Sequence, residues 1–215
     1  MEADALRTSH GLGVLHLFCH FGVEVNKTRI IEIVDKANAS EMQVVTISIL
    51  GHKADLGFMV LSNDWMQLRK FQTDITEAGL NVTDSYVSLT EISEYAAGVP
   101  EEMRQARLYP ELPPEGKPAW CFYPMSKRRN PQQNWFTLDF EKRKELMYEH
   151  GASGRKFTGR VLQVITGSSG VDDYEWGVTL FCVHPDDLKE VVYTMRFDEA
   201  SAEYAEFGPF YSGFV

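Results

Sequence analysis

Apolar residues along this chain alternate between a spacing of two and a spacing of three to four, and each switch marks an element boundary. Positions 14–21 are rich in aliphatic and aromatic side chains and read as a strand. Asn26 stands where a helix cap is wanted, ahead of Ile30, Ile31, Val34 and Ala37 at helical spacing. Strands over 43–50 and 56–61 follow, joined by a polar turn. Asp64 caps a second helix with Trp65, Leu68, Phe71 and Ile75 on one face and Gly79 at its end, and 82–89 is a fourth strand. The same order then recurs: a strand over 120–125, a helix over 139–149 stopped by Gly151, strands over 160–165 and 174–183, a helix over 186–195, and a strand in the aromatic tail 207–214.

Two β-α-β-β-α-β sets predict an α+β fold of two ferredoxin-like halves, 1–96 and 118–215, joined by a connector over 97–117 that carries Pro100, Pro110, Pro113 and Pro114. Fusing two such units lets their sheets pack as a dimeric α+β barrel-like unit, a step that rests on fold analogy. The functional candidates fall in the second half and the connector.

Composition narrows the function classes. Hydrophobic residues make up 44% of the chain, enough for a substantial core. Three cysteines, Cys19, Cys121 and Cys182, sit apart inside apolar runs and predict reduced thiols in a cytoplasmic protein. No signal-peptide pattern or membrane-length apolar run is evident. A net charge of −10 argues against nucleic acid and anionic membranes as partners. Between Arg104 and Arg160, however, twelve Lys or Arg face six Asp or Glu, so a segment of +6 sits in a chain that is −16 elsewhere. That pattern suits a small, multiply anionic ligand, or a chance cluster on solvated faces.

Strand alternation puts Tyr123, Met125 and Lys127 on one face, with Phe122 and Pro124 turned away. A phenol, a thioether and an ammonium together are unusual for a core; equally, Tyr123 can sit at a wet sheet rim and Lys127 can open a solvated loop with Arg128 and Arg129. His150 at a helix end is a dipole partner or a metal ligand. One histidine cannot hold zinc, yet one axial imidazole is sufficient for haem iron, whose other ligands come from the porphyrin. Gln163, on a stripe with Val161 and Ile165, is a satisfied core amide or a group aimed into a pocket. Arg107, Arg196 and Ser201 carry donors that suit carboxylates, or serve as surface partners.

The phrases ARLYP (106–110), CFYPMSKRR (121–129), NWF (134–136), EHG (149–151), DDYEWG (172–177), MRFDEAS (195–201) and EFGPF (206–210) together resemble the coproheme decarboxylases of the chlorite-dismutase-like superfamily. The resemblance covers the connector and the second half; the first half matches only in its order of elements. It implies iron coproporphyrin III (coproheme) as substrate and redox centre, hydrogen peroxide as oxidant, and haem b as product through a three-propionate intermediate and a Tyr123 radical. His150 would be the axial iron ligand. Tyr123 would be the redox-active phenol, and Lys127 would bind a propionate and assist proton movement. Arg107, Ser201 and the strand Tyr123, Pro124, Met125, Ser126 and Lys127 would hold carboxylates, with Gln163 on the far side of the iron and Arg196 a further candidate.

Gln163 stands where chlorite dismutases carry an arginine, so chlorite breakdown is not expected. Ala106 replaces a histidine present in some relatives, with no other histidine near, which implies slow activation of peroxide. The resemblance also implies a homopentamer and a transient contact with the ferrochelatase that supplies coproheme. A haem-delivery protein, or a weak haem peroxidase, is the alternative.

Overall fold

The computed structural model describes residues 6–96 and 98–215. Residues 1–5, and Ala97 at the start of the expected connector, lie outside them. In the first half, β1 (Gly13–Phe21), α1 (Lys27–Asn38), β2 (Gln43–Ile49), β3 (Leu56–Ser62), α2 (Trp65–Glu77) and β4 (Leu80–Thr90) follow in the expected order. The caps are the expected ones: Asn26 accepts from the Arg29 amide and Asp64 from the Met66 amide, each satisfying an otherwise orphan donor. The connector contains a helix that periodicity does not announce, α3 (Glu101–Leu108), eight residues long and burying none of them.

The second half starts with β5 (Ala119–Lys127) and a small hairpin of β6 (Arg129–Asn130) and β7 (Gln133–Asn134). It continues through α4 (Phe140–Arg155), β8 (Val161–Gly167), β9 (Trp176–Cys182), α5 (Pro185–Met195) and the short α6 (Glu199–Ala202). The aromatic tail is not one strand. It divides into β10 (Ala205–Phe207) and β11 (Tyr211–Phe214), because Gly208 and Pro209 break the pairing. Helix α4 also passes through Gly151 instead of stopping there, so His150 lies inside the helix.

The strands run β2-β3-β1-β4 in the first half and β11-β5-β9-β8 in the second, the same ferredoxin-like order twice. Each half's last strand pairs with the second strand of the other, β4 with β8 and β11 with β2, and the sheet closes into a ring of eight with β10 added along β5. Both seams are short, with two residue pairs each. Gly213 is required at one of them, since a side chain there would overlap the Ser48 carbonyl.

Alternate residues from both halves fill the ring, including Phe18, Ile47, Met59, Trp120, Phe122 and Phe181. The opposite face of the first sheet is covered by α1 and α2 through Leu17, Phe58, Leu68, Phe71 and Ile75. On the second sheet, α5 packs against Cys121, Val178, Leu180 and Cys182 through Val191. Part of that outer face is left open, and the site forms there.

Candidate functional site

The open face of β5, β8 and β9 is the floor of a cavity of about 1420 Å³, larger than the roughly 300–1000 Å³ of most ligand pockets. Alternation on β5 turns Tyr123, Met125 and Lys127 to this floor and sends Phe122 into the ring interior, as expected. Sheet register sets the neighbours: Met125, Trp176 and Gly167 form one row, and Tyr123, Val178 and Ile165 the next. Helix α4 contributes Met147, His150 and Gly151, α5 contributes Val192 and Met195, and α3 contributes Ala106 and Arg107.

His150 Nδ1 lies 3.1 Å from both carboxylate oxygens of Asp198. A carboxylate only accepts, so Nδ1 carries the hydrogen and Nε2 keeps its lone pair free to bind a metal. Asp198 is buried, caps α6 through the Ser201 amide, and has its pKa lowered: burial acts upward, and hydrogen bonds from His150 and Ser201 outweigh it. The Ser201 hydroxyl is 3.4 Å from His150 Nδ1, so this serine belongs to the same cluster while also lining the cavity.

The structure corrects the solvated-loop alternative for Lys127. The residue is 7% exposed, its Nζ donates to the Ala200 carbonyl at 2.6 Å, and the ammonium lies 4.3 Å over the Trp135 ring. Burial lowers its pKa to about 8, against the raising influence of Asp198 and Glu175. Lys127 thus joins the α6 cluster and still reaches the cavity wall.

Tyr123 is also buried, stacked on Phe210 and tilted against Phe207. Burial raises its pKa, helped by Cys121 and opposed by Arg196, and none of the described residues bonds its hydroxyl. A protonated phenol therefore faces the cavity.

Gln163 lines the cavity with its Nε2 3.4 Å from Met195 Sδ, which answers the question left by its apolar stripe: the amide points into the pocket. Arg107 and Arg196 also line it; Arg196 stacks at 4.3 Å on Phe207, and neither forms an ion pair among the described residues.

Two expected contacts are placed elsewhere. Pro124 faces the other side of the sheet, toward Phe18 and Tyr86, and Ser126 points to the Glu175 amide. The backbone of this strand is committed as well, pairing with β9 and β10, with the Gly208 amide donating to Pro124 O and the Lys127 amide to Glu175. Strand pairing consumes the donors that the backbone would need for a carboxylate. A further correction concerns histidines: His10, exposed, reaches the cavity rim from the segment before β1.

Sequence reasoning missed Asp198 as the partner of His150, together with Arg143, Glu91 and Trp176 on the wall. Only folding brings them together, and no local spacing signals it. Among the described residues no group of three or more His, Cys, Asp or Glu could hold a metal ion. The donor set fits a metal that brings its own ring of ligands: one oriented imidazole, an apolar floor and free guanidiniums for peripheral carboxylates. No helix of the described residues is long and apolar enough to cross a membrane.

The profile of the family described as Chlorite dismutase matches residues 24–215. A coproheme decarboxylase from Staphylococcus carnosus is 46% identical over 180 residues, covering 78% of this chain and 71% of that protein. A putative heme-binding protein from Natronomonas pharaonis is 45% identical over 199 residues, 84% of this chain and 32% of its own length. Among solved structures, a heme-binding protein from Thermus thermophilus superposes with a TM-score of 0.86 at 35% identity, covering 96% of this chain and 92% of that one.

Proposed function

This chain belongs to the chlorite dismutase family, and from that membership we propose that it is a coproheme decarboxylase, converting two propionates of iron coproporphyrin III to vinyl groups with hydrogen peroxide and yielding haem b. The observation that carries the reading is the buried, unpartnered Tyr123 phenol on the floor of a cavity whose wall presents His150 held by Asp198. Pure haem carriage needs the imidazole and the cations but no phenol.

In this reading His150 Nε2 is the axial ligand to the substrate iron. Asp198 fixes the imidazole tautomer and strengthens its donation. The iron, with peroxide, supplies the oxidising equivalents. Tyr123 gives up one electron and its proton and then takes a hydrogen atom from the β-carbon of a propionate. A second electron leaves the substrate as carbon dioxide departs and the vinyl double bond forms. Burial suits Tyr123 to this role, because a phenol that does not ionise must move electron and proton together. Arg107, Arg196 and Lys127 are the cations available to substrate carboxylates, with Ser201 at the edge of the same cluster. Gln163 supplies an amide where chlorite chemistry would need a guanidinium.

Three buried, unpaired cysteines suit a reducing, cytoplasmic setting. A homopentamer and a transient contact with the ferrochelatase that supplies coproheme complete the reading; light scattering on the purified protein checks the first. The decisive experiment titrates the coproheme complex with peroxide and follows porphyrin mass. Stepwise loss of two carboxyl groups is expected, and bound coproheme of unchanged mass would overturn the enzyme in favour of a carrier.

A further inference from the structure

Converting one propionate carboxylate to a vinyl group and carbon dioxide releases two electrons and one proton. Reducing hydrogen peroxide to two waters takes up two electrons and two protons. Each round therefore consumes one proton, and two rounds consume two. We propose that Glu91 is the cavity group that delivers this proton, a role that rests on the decarboxylase reading above.

Glu91 directly follows β4 at the seam where Thr90 pairs with Thr166, and it lines the cavity. Its carboxylate lies on the face of Gly167, where any side chain would overlap it. The Trp176 indole N–H donates to its Oε1 at 3.1 Å. One oxygen is thus fixed by β9 and the group is backed by β8, while Glu91 is itself exposed and lines the cavity. Trp176 shares its row with Met125, so the pair stands one row, roughly 7 Å along the strand, from that of Tyr123.

The other acids of the wall are committed or peripheral. Glu94 pairs with Arg143 at 3.7 Å, and Glu175 is held by Arg129 and by the Lys127 amide. Glu111 and His10 are exposed, as Glu91 is, but among the described residues neither is fixed by a hydrogen bond from the sheet. The Lys127 ammonium is engaged with Ala200 O. From α3 only Arg107 faces the same space as a charge.

Glu91 has an indole N–H and, among the described residues, no cation as partner, so no ion pair holds it ionised. Burial raises its pKa, against the Trp176 hydrogen bond. The arrival of four substrate carboxylates raises it further, because like charges favour the neutral acid.

The test follows single-turnover decarboxylation of the coproheme complex by limiting peroxide between about pH 5 and 9. The wild-type rate should fall as pH rises through the Glu91 pKa. Glu91→Gln should bind coproheme at least as tightly as wild type yet react at least about tenfold more slowly at the acid end, with a flat profile, and Glu91→Asp should restore the pH dependence. A Gln variant within twofold of wild type and with the same profile overturns the role. If that variant does not fold, a pH-independent wild-type rate overturns it alone. Should the wild type show no mass loss at any pH, the decarboxylase reading fails, which is a different result from an active enzyme indifferent to Glu91.

Discussion

Removing only the hydroxyl of Tyr123 tests its chemistry with little change in packing, because the Phe207 and Phe210 contacts involve the ring. Tyr123→Phe should keep coproheme affinity and lose decarboxylation by at least about 100-fold, read from product mass after a fixed peroxide dose. At Asp198 the expected change is spectroscopic: Asp198→Asn removes the anionic acceptor at His150 Nδ1 and should weaken iron binding by about 10–100-fold while shifting the iron spectrum. A Soret band and an affinity identical to wild type would show that Asp198 only caps α6. Lys127 predicts a pH effect on the protein alone. Its pKa of about 8 when folded lies below an ordinary value near 10.5, so the unfolded chain binds more protons between the two. Stability from this group is fully present above about 10.5 and lost as pH falls through about 8, by up to about 3 kcal/mol. Thermal midpoints of wild type should therefore gain on those of Lys127→Met across that window, and parallel curves would refute the assignment. Tyr123, Met125 and Lys127 were legible in the sequence, since strand alternation alone puts them on one face. Asp198 was not, because it meets His150 from a separate helix.

Local pattern identified most elements and misjudged those where it is silent. Helix α3 is only eight residues long and buries nothing, too short a segment for a helical period to stand out. Helix α4 continues past Gly151, although glycine costs about 1 kcal/mol inside a helix. At that position it leaves α4 without a side chain beside His150, on the cavity wall. The split of the tail into β10 and β11 falls at Gly208 and Pro209, where the pairing along β5 shifts register by one residue. The seam predicts its own weak point. Gly213→Ala forces a methyl against the Ser48 carbonyl and should cost about 2–3 kcal/mol, seen as a lower midpoint in thermal melts. An unchanged midpoint would mean that β11 is not held against β2 in solution.

For the whole molecule, the basic segment proves less concentrated than its count suggested. Arg107, Lys127 and Arg143 reach the cavity, whereas Lys142 and Lys144 pair with exposed acids and Arg160 with the buried Asp187. The repeated order of elements announced two similar halves, but the ring closes through strand pairs that no periodicity encodes. Those pairs have a kinetic consequence. Strands β2 and β3 join near neighbours in the chain, as do β8 and β9, whereas the closing seam must bring Gly213 to Ile49. Contacts so distant in sequence form late, after most of the loop entropy has been lost. Seam amides should accordingly gain protection from hydrogen exchange last during refolding, and the ability to capture an iron porphyrin should emerge with them.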